Sequence, residues 1–200
     1  MADKRGAQED SIKMRKIVAG LYMSLDGIVD SPESAPHRWT NKEMTEWIAA
    51  GIAQADAVLL GPRTYRLLAQ FWQHQPSDVP MARFLNNSPK YVASSTLNTL
   101  EWQPATLIKG DLAKELTKLK VQPGKNIQIP GSPRLVRSLL RDGLLDELHL
   151  AICPVIVGSG LRLFDEIGHQ VNLRLVNSTT FNNGVLGVTY QPVRPVRPAP

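Results

Sequence analysis

The sequence predicts an α/β fold of three layers, α/β/α, in which a mainly parallel central sheet is covered by helices on both faces and ends in an antiparallel C-terminal hairpin. Three observations predict it. Short, near-continuous apolar runs alternate with segments of helical period, the pattern of parallel strands buried on both faces. Two of those runs pass through a glycine straight into a helix start. After residue 164 the pattern changes to two β-prone segments flanking Asn182-Asn183-Gly184, a strong hairpin turn signal.

The 200 residues suit one domain with a sizeable core, expected over residues 14–191. Residues 1–13 are polar and charged and are expected to be a disordered extension. Residues 192–200 form a proline-rich tail of polyproline character. The net charge of +5 includes Arg194 and Arg197 of that tail, and the chain has no basic block of the kind nucleic-acid binders carry. No nucleic-acid partner is therefore expected. No apolar run approaches membrane-spanning length and the N-terminus has no apolar signal core, so the expectation is a cytoplasmic protein without membrane contact. The single cysteine, Cys153, rules out an internal disulfide and lies in an apolar run, where a thiol is buried and inert.

Taken in order, residues 16–23 (KIVAGLYM) read as the first strand, ended by Ser24-Leu25-Asp26-Gly27 with Asp-Gly as the turn signal. Residues 29–39 read as loop, with Pro32 and Pro36. Thr40-Asn41-Lys42-Glu43 matches a capping box, Thr40 at the N-cap and Glu43 at N3. The helix it opens aligns Met44, Trp47, Ile48, Gly51, Ile52 and Ala55. At about 100° per residue, Glu46 lies about 170° from that stripe and faces solvent, whereas Glu43 lies about 110° away and borders the buried face. Residues 57–60 form the second strand. Gly61-Pro62-Arg63-Thr64-Tyr65 then opens a short helix, with proline where its missing N–H is not needed.

Residues 72–80 read as loop, 81–86 as a short helix, 91–93 as a third strand ending in Ser94-Ser95-Thr96, and 106–108 as a fourth. The following helix has Asp111 near its start, Leu112, Leu116 and Leu119 inward, and Lys114, Lys118 and Lys120 outward. Residues 126–129 form the fifth strand, turning through Pro130 and Gly131. Ser132 suits the N-cap of the next helix and Pro133 its first position. Leu135, Val136, Leu139 and Leu140 repeat at helical spacing, and Gly143 suits the left-handed C′ position. Residues 147–152 form the sixth strand, and 171–180 with 185–191 the hairpin.

A helix that opens off a strand through glycine leaves unpaired N–H groups and the positive end of its dipole facing outward, so the Gly131-Ser132 turn suits a phosphate-bearing ligand. No Rossmann glycine fingerprint, Walker loop, HExxH, CxxC or GxSxG elbow is present. His37, His74, His149 and His169 show no metal-ligand spacing, and no metal is expected. What remains is two strand–glycine–helix turns, a serine pair at a strand end, and a carboxylate at a helix start. Such parts bind a phosphorylated cofactor and let it do the chemistry.

The ordered set SLDG, Trp39-Thr40, LLGPRTY, YVASSTL and PGSPRLVRSLLRDGLLDELHLAICPVIVGSGLRLF resembles the dihydrofolate reductase-like superfamily. Within it the chain is most similar, over residues 14–191, to the reductase domain at the C-terminus of the bifunctional deaminase-reductase of riboflavin biosynthesis, here in stand-alone form. The deaminase half has no counterpart, since HxE and PCxxC signatures are missing. The resemblance implies a dihydrofolate reductase-like fold, a homodimer joined through the late strands and hairpin, and NADPH bound without a Rossmann fingerprint. Gly61, Arg63 and Thr64 would lie at one phosphate-facing helix start, Gly131 and Ser132 would face the pyrophosphate, and Ser94 with Ser95 the adenosine 2′-phosphate. The backbone of Leu21 and Tyr22 would meet the nicotinamide, with substrate against Asp26, Trp39, Thr40 and Glu43.

The implied reaction is hydride transfer to a C=N or C=O carbon of a small heterocycle, with Glu43 and Asp26 as candidate proton carriers. The chain departs from the riboflavin reductases at three places. Gly20 stands where they usually carry a lysine, Pro130 and Ser132 replace an acidic residue and a glycine, and Ser95 and Pro62 replace arginines. The alternatives to a riboflavin-type reductase are a pterin reductase and a nucleotide-binding homodimer without turnover.

Overall fold

The computed structural model describes residues 14–30, 36–165 and 167–193. The expected disordered extension over 1–13, Pro32, and the tail beyond residue 193 lie outside the described residues. Eight strands form one sheet: β1 Ile17–Ser24, β2 Ala55–Leu60, β3 Lys90–Ala93, β4 Ala105–Ile108, β5 Asn126–Pro130, β6 Glu147–Cys153, β7 Leu173–Thr180 and β8 Leu186–Pro192. Their order is β4-β3-β2-β5-β1-β6-β8-β7. The first six in that order run parallel, while β8 pairs antiparallel with β6 and with β7. The expected mainly parallel sheet with an antiparallel C-terminal hairpin is what forms.

Among the described residues six helices connect the strands: α1 Pro36–Trp39, α2 Lys42–Ile52, α3 Pro62–Trp72, α4 Pro80–Asn87, α5 Leu112–Lys120 and α6 Pro133–Arg141. Side chains that alternate along the parallel strands divide between two faces. Ile17, Ala19 and Leu21 of β1, Ile127 and Ile129 of β5, and Leu148 and Leu150 of β6 pack with Leu116 and Leu119 of α5 and Val136, Leu139 and Leu140 of α6. That face is one continuous core. The opposite face carries two separate clusters. Val58, Leu60 and Val92 pack beneath Tyr65 of α3 and Leu85 of α4. Some strands away, Met44 of α2 packs with Ala151, Phe181 and Val185.

Several local expectations are corrected. The N-cap of α2 is Asn41, whose side-chain oxygen accepts from the Met44 N–H at 2.9 Å; the capping box over Thr40 and Glu43 does not form, because the Thr40 hydroxyl pairs with Tyr22 at 2.8 Å. Residues 36–39 of the expected loop are helical, and α3 runs eleven residues where a short helix is expected. Lys120 is not simply outward: it turns to Asp146, with Nζ 2.6 Å from Oδ2 and only 14% of the side chain exposed. Asp111 does cap α5, accepting from the Lys114 N–H at 3.1 Å. Gly143, at φ 66°, ends α6 as expected, and the next N–H, on Leu144, reaches back to Leu139 O at 2.8 Å. Cys153 is fully buried, and burial pushes its thiol up to about 11.

Lys90, the first residue of β3, is fully buried and has no sequence signal to mark it. Its ammonium closes the C-terminal end of α4, donating to Leu85 O at 2.7 Å and Ser88 O at 3.0 Å, and lies 4.7 Å from the centre of the Trp102 ring. Burial nevertheless pushes it down from 10.5 to about 8. Between those pH values the unfolded chain holds more protons than the folded one, so Lys90's contribution to stability rises with pH across that window. Urea midpoints of the wild-type protein are expected to climb relative to those of Lys90→Met between pH 8 and pH 10. A pH-independent gap between the two would show that Lys90 is not desolvated.

Candidate functional site

Neighbouring strands β2 and β5 hand the chain to opposite faces of the sheet, β2 to α3 and β5 to α6. Such a switch point opens a crevice at the carboxyl ends of parallel strands, where open α/β sheets bind ligands. Both strand–glycine–helix turns lie there, and they are joined. The Gly61 N–H donates to Ser132 Oγ at 3.0 Å. Next to it the Gly131 N–H donates to Gly20 O at 3.1 Å, tying the turn to β1.

The expected side-chain capping by Ser132 is therefore corrected. It stands at the N-cap position of α6 but in the left-handed region, φ 58° and ψ 59°, and its hydroxyl makes no cap bond. Its side chain is directed across the crevice to Gly61 and is 4% exposed. Gly61 and Ser132 are joined by this bond, in which the Ser132 hydroxyl accepts and keeps its own O–H to donate. Pro62 and Pro133 have no N–H, while Tyr65 and Val136 donate to Gly61 O and Ser132 O. The first-turn amides left without an intrahelical acceptor are those of Arg63 and Thr64 in α3 and of Arg134 and Leu135 in α6. Thr64 borders Gly131 closely: a Cβ on Gly131 would lie 3.6 Å from its methyl group.

Ser94 and Ser95 follow β3, beside β2. The Ser94 oxygen accepts from the N–H groups of Thr96 and Leu97, at 3.2 and 3.1 Å, so this hydroxyl organises its own turn. Ser95 and Arg63 are exposed.

On the face that carries two clusters, the sheet between them is only partly covered, with Val18 buried. Gly20 and Tyr22 of β1, Gln128 and Pro130 of β5, and His149 of β6 are all half-exposed. Leu21 points into the opposite core, so only its backbone borders this cleft. At the upper end the hydroxyls of Tyr22 and Thr40 are 2.8 Å apart, and burial raises the Tyr22 pKa. Trp39 packs against the same cluster as Tyr22. The structure thus brings Tyr22, Trp39 and Thr40 together.

Glu43 is placed elsewhere. It is exposed at the start of α2 and its Oε2 accepts from the Asn182 N–H at 3.2 Å, so it meets the hairpin turn. Asn41 and Asn183 hold the same turn, through Asn182 Oδ1 at 2.6 Å and through Trp39 O. Asp26 also has a structural task. Its carboxylate accepts from Ser24 Oγ at 2.7 Å and from the Val157 and Gly158 N–H groups at 3.1 and 2.8 Å, and these bonds lower its pKa to about 2. Asp30 accepts from the Leu161 N–H at 2.7 Å, and Arg162 donates to Asp26 O at 2.6 Å. The two loops after β1 and β6 are zipped together by these bonds. A carboxylate held ionised by three donors anchors a loop and is a poor proton source at neutral pH.

Among the described residues no three His, Cys, Asp or Glu side chains gather as a metal site would, and no helix is long and apolar enough to cross a membrane.

Comparison with known proteins matches residues 15–187 to the RibD C-terminal domain family. The uncharacterized protein YyaP of Bacillus subtilis (strain 168) is 29% identical over 184 residues, covering 90% of this chain and 97% of that protein. A putative riboflavin biosynthesis protein from Shewanella sp. PV-4 has a similar structure, with a TM-score of 0.73 at 21% identity, over 90% of this chain and 99% of that one. Dihydrofolate reductase from Enterococcus faecalis, solved in complex with NADP(H), has a TM-score of 0.58 at 14% identity, over 88% and 96%. At these identities the structural likeness shows the fold, which is dihydrofolate reductase-like.

The bond between the two turns is testable. Ser132→Ala removes the acceptor of the Gly61 N–H and is expected to lower stability by about 1–3 kcal/mol in urea unfolding. Unchanged stability would mean that water replaces the hydroxyl at no cost.

Proposed function

The chain belongs to the RibD C-terminal domain family, related to the reductase of riboflavin biosynthesis, and from that premise we propose that it is an NADPH-dependent reductase of a small heterocycle. The observation that carries the reading is the Gly61–Ser132 hydrogen bond, which merges two helix starts into one crevice. A dinucleotide pyrophosphate carries its charge over a few ångströms, and two adjacent helix N-termini with four unpaired amides suit it. The amides of Arg63, Thr64, Arg134 and Leu135 would receive the phosphates. Exposed Arg63 and Ser95, at neighbouring strand ends, would take a 2′-phosphate and favour NADPH over NADH. The glycine at 131 puts no side chain of its own on that turn, which leaves its backbone open to close approach.

NADPH supplies the hydride. The chain's own residues position the substrate and provide a proton. The partly covered cleft beside Gly20 and Tyr22 receives the heterocycle, and Trp39 walls it. With Asp26 committed to its loop and Glu43 to the hairpin, the Tyr22 hydroxyl is a protic group that stays on the cleft, beside the Thr40 hydroxyl. Burial makes it a weaker acid than an ordinary phenol, yet the anion left on nitrogen or oxygen after hydride arrival is a stronger base, and the Thr40 hydroxyl holds the phenol in place. A nucleotide-binding protein without turnover is the second reading, favoured by the commitment of both carboxylates. A homodimer belongs to the proposal as well: β7 is the last strand of the sheet and carries Leu175 and Val176 exposed at 50% and 46%.

Titration against the protein's four tryptophans is expected to show quenching by NADPH, and at least about tenfold weaker binding of NADH. Silence with both nucleotides sinks the reading. Over a panel of pyrimidines and pterins, Tyr22→Phe is expected to cut kcat by about a hundredfold with NADPH affinity unchanged; NADPH binding without any turnover selects the second reading. In sedimentation, the 22.1 kDa chain is expected at twice its mass and Leu175→Lys as a monomer, whereas a monomeric wild type removes the dimer.

A further inference from the structure

We propose that Gln128 and His149, on either side of Gly20, are specificity-determining residues that select an uncharged lactam heterocycle over a phosphorylated sugar. The inference deepens the reductase reading and rests on it for the identity of the cleft. Register places the groups together: Val18 lies opposite Gln128 and Glu147, and Gly20 opposite Pro130 and His149, so all face the same side of three central strands. The interior strands of a parallel sheet are ordinarily covered by apolar packing on both faces. Here the cover is partial. The cluster under α3 and α4 ends at β2, and the cluster under α2 begins at β6; between them Val18 is buried, while polar Gln128 and His149 keep part of their surface exposed.

The amide of Gln128 lies across Gly20. A Cβ on Gly20 would come within 3.0 Å of Nε2, closer than nearly all real contacts of that kind. Glycine is thus what lets this amide rest on the cleft floor. Among the described residues the amide has no protein hydrogen-bond partner. His149 is oriented from behind, its Nε2 3.3 Å from Glu147 Oε2 and its ring 6.2 Å from that of Trp47.

The electrostatics favour a neutral ligand. Glu147 is ion-paired to Lys16 at 2.7 Å and also accepts from Gln191 at 3.0 Å, so the Lys16 charge on this floor is already matched by a carboxylate. A primary amide offers one donor and one acceptor side by side, which matches the N–H and C=O of a lactam edge such as a pyrimidinone or pterin. A site built to hydrogen-bond such an edge discriminates strongly, because a mismatched ligand leaves its own polar groups unpaired.

The test is calorimetry with three probes, pterin, 5-aminouracil and ribose 5-phosphate, each with and without NADPH. Both lactams, or one, are expected to bind the wild-type protein and ribose 5-phosphate is not. Gln128→Leu is expected to weaken lactam binding at least about tenfold while NADPH affinity stays within about twofold. Gly20→Ala, which displaces the amide without removing it, serves as the second variant and is expected to give the same loss. Lactam binding unaffected by Gln128→Leu, ribose 5-phosphate binding as tight as that of the lactams, or no lactam binding at all would overturn the inference. Failure of NADPH alone to bind, with Gln128-dependent lactam binding retained, would instead overturn the reductase reading.

Discussion

The crevice depends on one hydrogen bond, from the Gly61 N–H to Ser132 Oγ at 3.0 Å. It spans 71 positions in sequence and joins the starts of two helices that leave the sheet on opposite faces. The backbone bears a cost for it. Ser132 sits at φ 58°, a conformation about 1–2 kcal/mol unfavourable for an L-residue. A glycine there would relax the backbone and lose the bond, so the serine acts as a crosslink between the two turns. Gly131 completes the junction by donating to Gly20, which places the innermost strand β1 in the same network.

The second constraint is the unequal cover of the sheet. The face under α5 and α6 holds a continuous apolar core, which fixes the strands rigidly. The face under α2, α3 and α4 holds two clusters with an interval between them. A rigid floor with an opening above it is what a positioning site requires. Around its rim the loops after β1 and β6 are zipped by Asp26, Asp30 and Arg162, and the hairpin turn is docked on α2 through Asn41, Glu43 and Asn183. These polar contacts order segments that have little apolar surface to bury.

Much of the fold is legible in the sequence because period and turn chemistry are local properties. The six parallel strands follow from short apolar runs, the hairpin from Asn182-Asn183-Gly184, and the end of α6 from Gly143, at φ 66°. Local rules fail where a side chain finds a distant partner. Thr40 satisfies a capping pattern on paper, but Tyr22 competes for its hydroxyl and Asn41 takes the cap. Lys120 fits an outward stripe until Asp146 arrives from 26 positions away. Lys90 shows no local sign of burial, since its ammonium meets the C-terminal end of α4 and the Trp102 ring only in the folded chain.

The same division runs through the candidate site. The sequence by itself determined the two glycine-led helix starts and the mainly parallel sheet, because glycine, proline and apolar spacing act within a few residues. Only the tertiary structure decided which groups remain free. It directed Ser132 toward Gly61, Asp26 toward the 157–158 amides and Glu43 toward Asn182, and it left Tyr22 and Gln128 on the open floor. The physical reason is that a polar side chain takes whichever partner the packed chain presents, and separations of 71 to 139 positions carry no trace in local pattern.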